Sequence, residues 1–118
     1  MAKRTPLETF MAQSLKMARR REAINGREAD DSITVSYLVG LYHGQQGKCC
    51  HTGEEMTLER GLVEGAVTFT LCTMERIDNT LGYTKGNIML ACDGINRMRG
   101  NMSLAKFRAL CKRIGMVA

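Results

Sequence analysis

Between Lys48 and Ala91 the chain falls into short segments rich in Thr, Val and Leu, punctuated by Gly53, Gly61, Gly65, Gly82 and Gly86. This pattern predicts strands joined by turns, one strand over Thr70 to Ile77 and the next over Asn87 to Ala91, with Gly82-Tyr83 in the loop between them. The flanks read differently. Thr5-Pro6-Leu7-Glu8 has the form of a capping box, with Thr5 as N-cap, Pro6 at the first helical position and Glu8 reaching back to the cap amide. Leu7, Phe10, Met11, Leu15 and Ala18 then share one helical face, Lys16, Arg19, Arg20 and Arg21 crowd the far end, and Asn25-Gly26 closes the helix. Asp30-Asp31-Ser32 predicts the start of a second helix whose buried stripe is Ile33, Tyr37, Leu38, Leu41 and Tyr42, broken by Gly44 and Gly47. Helical signals return over Asp93 to Met98. Ser103 caps a last amphipathic helix through Leu104, Phe107, Leu110 and Cys111.

A chain of 118 residues, 44% hydrophobic, supports one core and not two. No apolar run approaches the roughly 18 residues of a membrane span, so a soluble cytoplasmic protein with no membrane partner is expected. The formal charge of +5 and pI near 9.1 favour a polyanionic partner, because basic side chains that neutralise phosphates release condensed counterions. Five cysteines without a secretion signal read as buried thiols or metal ligands, and no disulfide is expected.

The stretch that carries chemistry is Glu75-Arg76-Ile77-Asp78, then Gly82-Tyr83, then Gly86-Asn87-Ile88, then Cys92 to Asn96 followed by Arg97 and Arg99. It places a carboxylate at the end of one strand and a carboxamide on the helix after the next. Two oxygen ligands from elements that cross in this way hold a hard divalent cation, with water and a phosphate oxygen completing its shell.

From Ser32 to Phe107 these features, with the Gln46-Gly47-Lys48-Cys49 helix end and the Thr52-Gly53 turn, resemble the HNH nucleases, most closely their phage-encoded homing-type branch. The resemblance implies an α+β fold: two N-terminal helices, a β-hairpin with the ββα-metal finger, and a C-terminal helix. It divides the chain into a basic helix over 1–31 and an HNH-like region over 32–118 within a single compact domain. It implies that Glu75 and Asn96 hold one Mg²⁺ or Mn²⁺, that Asn87 braces the loop, and that the reaction is hydrolysis of DNA phosphodiesters. At the position of the family's general-base His stands Arg76, which stays protonated. Three substitutes are open: Asp78 as base, His43 or His51 reaching in from outside the matched segment, or hydroxide formed on the metal. Alternatively Arg76 grips phosphate and the domain binds DNA or a protein without cutting.

Zinc-bearing relatives of the family carry a Cys-x-x-Cys before the hairpin and another at the helix start. The matching pairs here are Cys49 with Thr52 and Cys92 with Ile95, so half the set is missing and structural zinc is not expected. Lys85, Arg97 and Arg99, with Lys48 nearby, are placed to hold phosphates either side of the cut, and Lys16, Arg19, Arg20 and Arg21 to lie along a duplex. A protein this small reads little sequence alone, which leaves room for a protein partner or a homodimer.

Overall fold

The computed structural model describes residues 3–27, 30–59 and 69–117. Gly61 and Gly65, two of the turn signals, lie outside the described residues. Helix α1 spans Pro6–Ile24, and its start is the reciprocal cap read from the sequence: Glu8 N donates to Thr5 Oγ1 at 3.2 Å and Thr5 N to Glu8 Oε1 at 3.0 Å. Helix α2 spans Val35–Gly44. Its cap is Thr34, whose Oγ1 accepts from Tyr37 N, and not the Asp30-Asp31-Ser32 triplet. The reason lies in the acceptors of Asp30. Oδ1 is taken by the amide and hydroxyl of Ser32, and Oδ2 by the amide of Lys85, so the aspartate closes a turn and anchors a distant loop.

Strands β1 (Cys72–Arg76) and β2 (Ile88–Cys92) form a two-stranded antiparallel sheet, in register from Cys72 opposite Cys92 to Arg76 opposite Ile88. Helix α3 (Asp93–Arg99) follows β2 directly, and α4 (Leu104–Gly115) starts at Ser103, which accepts from Lys106 N. The element order is therefore two helices, a hairpin, the finger helix and a C-terminal helix, as the resemblance implies.

Strand alternation sorts the hairpin into two faces. Met74 and Leu90 join Met11, Leu15 and Ala18 of α1 and Ile33 and Leu38 of the α2 segment in one buried cluster. Each fully buried Leu, Ile or Met contributes about 1.5–3 kcal/mol, so this cluster holds the helices on the hairpin. The opposite face carries Glu75, covered by α3 and by the turn after α2. Of the expected α4 stripe, Phe107 is buried, Leu104 and Leu110 are half-buried and Cys111 is exposed. No helix among the described residues is long and apolar enough to cross a membrane.

Candidate active site

The turn that faces Glu75 is fixed to the sheet before any ligand is considered. Gln45, the C-cap of α2, pairs with the backbone of Leu90 through both ends of its carboxamide: Leu90 N donates to Oε1 at 3.0 Å and Nε2 donates to Leu90 O at 2.8 Å. Cys50 N also donates to Leu90 O at 3.1 Å, and the amides of Cys49 and Gly53 close the turn on Glu54 O and Cys49 O. His51 is thereby held over β1. Its Nε2 meets Glu75 Oε2, its ring lies edge-on to Phe107, and its Nδ1 is the buried side-chain polar atom without a hydrogen-bond partner among the described residues.

Glu75 is 3% exposed, and its other oxygen, Oε1, accepts from Arg99 Nη1 at 2.9 Å. Arg99 is 2% exposed and also donates to Arg76 O at 2.6 Å, Ile77 O at 2.9 Å and Met102 O at 2.9 Å. Four bonds in fixed directions satisfy the buried guanidinium and lock the Glu75 rotamer. Burial and the Glu75 charge push the Cys50 thiol up to about 12, with its Sγ 3.7 Å from Glu75 Oε2. Beside His51 opens a pocket of about 270 Å³ lined by Thr52, Ile95, Phe107, Arg108 and Cys111.

The residues singled out in the sequence fall into three places. Glu75 and Arg99 meet inside, which moves Arg99 from the set read as phosphate contacts to the buried interior. Asn96 is half-buried on α3, and its backbone carbonyl accepts from Gly100 N. In the β1–β2 loop, Asn87 Oδ1 accepts from Asp78 N at 2.8 Å while its Nδ2 donates to Asp78 O and Gly82 O at 3.1 and 2.9 Å. Arg76 Nη1 donates to Asn79 O and Leu81 O, and its guanidinium sits 5.6 Å from the Tyr83 ring centroid. Asp78 is exposed and accepts from the hydroxyl and amide of Thr80, bonds that hold its carboxyl below the usual range.

On the surface, Lys16 and Arg20 are exposed on α1, and Arg19 Nη2 donates to Ile33 O at 3.2 Å. Arg21 lines a groove with Arg97, Ser14, Thr73 and Asp93, and Arg97 pairs with Asp93 at 2.8 Å. Lys85 lies over the Tyr37 ring, and His43 is exposed at the end of α2. Nothing local in the sequence marks Gln45 or Arg108. Cys50-His51 was visible as a pair of donors, but its partner stands 24 residues further along.

The donors present suit a cation: Glu75 Oε2 is turned away from Arg99, and ligand atoms of Cys50, His51 and Glu75 all lie within 4.8 Å of one another. Cys49 and Cys92 form a separate contact, Cys92 N donating to Cys49 Sγ at 3.3 Å, and all five cysteines are free.

A buried carboxylate at the end of the first strand, a loop-bracing Asn before the second and a helix running straight out of it give this chain the HNH nuclease fold. Among solved structures it is similar to the rare-cutting HNH restriction endonuclease PacI, with a TM-score of 0.63, covering 88% of this chain and 75% of that one at 21% sequence identity. The likeness is one of fold. Neither the protein-family models nor the curated proteins gave a match.

Proposed function

We propose that this domain is a divalent-metal-dependent endonuclease that hydrolyses phosphodiester bonds in duplex DNA. The observation that carries this reading is Glu75, a buried carboxylate at the end of β1 with one oxygen held by Arg99 and the other turned towards donors beside an open pocket. The similar protein PacI is a DNA-cutting HNH enzyme, which adds weight to DNA as the substrate.

Glu75 offers its carboxylate to the ion, and Asn96 on α3 is the second ligand that the family pattern assigns. When bound, such an ion neutralises the scissile phosphate and the oxygen that leaves it. The chain's own work is positional. Arg99 keeps Glu75 from turning, and Asn87 keeps the β1–β2 loop in register with the finger, a placement that catalysis needs to within a fraction of an ångström. Arg108 at the pocket rim is positioned to draw a phosphate towards His51. Water adds to phosphorus and releases one proton to solvent as one ester P–O bond breaks, and the departing sugar oxygen takes up a proton from solvent in turn.

The full chain is expected to nick and linearise supercoiled plasmid when a divalent cation is added and to stop with chelator. DNA that is retarded in a gel but never cut, under any divalent cation, would replace the reading with a DNA-binding module. Arg76 favours that outcome most, since its guanidinium is engaged with loop carbonyls where the family places its base.

The surface cations make a second measurement informative. Neutralising Arg20, Arg21 and Arg97 together is expected to weaken DNA binding and to flatten the slope of log K against log salt by about two to three, at roughly 0.9 per phosphate contact. Arg21 and Arg97 share one groove, so an unchanged slope in a fluorescence-anisotropy titration would place the DNA elsewhere.

A further inference from the structure

We infer that Cys50, His51 and Glu75 form a three-donor site for a thiophilic transition-metal ion of the Zn²⁺ or Co²⁺ class, with its fourth position open to the adjoining pocket. The site differs from the cysteine pairs of zinc-bearing relatives. Those pairs map to Cys49 and Cys92, whereas the donors here come from the next two residues and from β1. It also differs from the hard Mg²⁺ or Mn²⁺ site implied by Glu75 with Asn96.

Four observations lead to it. The three ligand atoms lie within 4.8 Å of one another, near enough for small side-chain shifts to bring them onto one ion. The donors are a sulfur, an imidazole nitrogen and a carboxylate oxygen, a set that binds borderline and soft ions, whereas Mg²⁺ takes oxygen. The donors are also held in advance, the turn by Gln45 and Leu90 and the carboxylate by Arg99. Last, Nδ1 of the buried His51 ring has no hydrogen-bond partner among the described residues, the kind of buried polar atom that an ion or a water commonly satisfies.

The charge count leaves the loaded site cationic. Arg99 offsets one of the two negative charges of a Cys50 thiolate and the Glu75 carboxylate, and a dication brings the cluster to a single positive charge suited to a phosphate oxygen. Binding sends the Cys50 thiol proton to solvent, because the thiolate is the ligand. Three protein donors with a fourth position open define the reactive type of site, since structural sites close the shell with a fourth side chain. The pocket that His51 lines, with Arg108 on its wall, is the space next to these donors that a fourth ligand would enter. This last step, what the ion does, rests on the nuclease reading; the binding of the ion does not.

The test is a Co²⁺ titration of the chelator-treated full chain, followed by visible and near-ultraviolet absorption. One equivalent of Co²⁺ is expected to give a tetrahedral spectrum with a thiolate charge-transfer band, displaced by Zn²⁺ and untouched by Mg²⁺. Cys50→Ser is expected to remove the band and to weaken binding roughly 100-fold or more, beyond the range seen for loss of an outer-shell partner, while Cys111→Ser keeps both. X-ray absorption of the zinc-loaded wild type is expected to count one sulfur, which makes the result independent of how any variant folds. A folded wild type that shows no charge-transfer band, a band that survives Cys50→Ser, or two sulfurs around zinc would overturn the site. The two readings fail separately. A chain that binds Co²⁺ through Cys50 but cuts no DNA sinks the nuclease reading alone, and one that cuts with Mg²⁺ but takes no Co²⁺ sinks this site alone.

Discussion

Glu75→Ala is expected to abolish plasmid cleavage and to lower the unfolding free energy by about 3–5 kcal/mol, because it leaves the Arg99 guanidinium buried without its counter-charge. Arg99 is 2% exposed and cannot swing out to water, so the penalty falls on the native state in full. Against the 5–15 kcal/mol typical of a domain that loss is large, and at the low end of the range it unfolds much of the protein, so a dead variant alone would not separate folding from chemistry. The informative companion is Glu75→Leu with Arg99→Met, which removes both charges at similar volume. Replacing both partners of a buried pair with apolar groups is often neutral, but the carbonyls of Arg76, Ile77 and Met102 lose the Arg99 donor, so urea melts should show part of the stability restored while cleavage stays lost. If the folded double variant still cuts DNA, the carboxylate has no part in the reaction.

His51→Ala is expected to lower the initial rate of nicking by at least about 10²-fold, with partial recovery as the metal concentration rises. The magnitude follows from its place: even outer-shell partners of metal ligands cost 10–100-fold when removed, and His51 touches Glu75 directly. His43→Ala is the control, since that ring is exposed at the end of α2 and is expected to change the rate little. Equal rates for wild type and His51→Ala under saturating metal would remove the histidine from the mechanism. A large loss with His43→Ala would move the site to the solvent-facing last turn of α2.

The features legible in the sequence are those whose partners are close by along the chain. Thr5 and Glu8 cap α1 across three residues and Ser103 caps α4 in the same way, so local propensity found both ends. The hairpin and the finger helix were legible because turn residues and alternation mark them locally. What failed was set by distant competitors. Asp30 reads as a helix cap until the amide of Lys85, 55 residues away, claims its second oxygen. Arg99 reads as a solvent-facing last-turn arginine, and only Glu75 and the carbonyls of Arg76 and Ile77, 22 to 24 residues earlier, show that it is interior. The α4 stripe has helical period, yet period alone does not say whether a neighbour covers it, and beyond Phe107 little does. In the candidate site, the donor types at 50, 51 and 75 could be read one by one. Their convergence could not, because it depends on Gln45 pinning a turn to β2.

The contacts of the β1–β2 loop with the first two helices bear on how such a chain can be inherited. Gly82 packs so closely on the Glu22 carboxylate that any side chain at 82 would collide with it, Lys85 N reaches Asp30, and Gly86 N reaches the Tyr37 hydroxyl. Tyr83, between them, lies under the guanidinium groups of both Arg21 and Arg76. The basic helix is thus a splint strapped along the loop that the finger depends on, and not an arm appended to a self-sufficient module. A recombination breakpoint near residue 31 would give the progeny Glu22 from one parent and position 82 from the other, two residues in direct contact. Shuffling among relatives should therefore preserve this seam, with the helices and the finger travelling together as a single cassette.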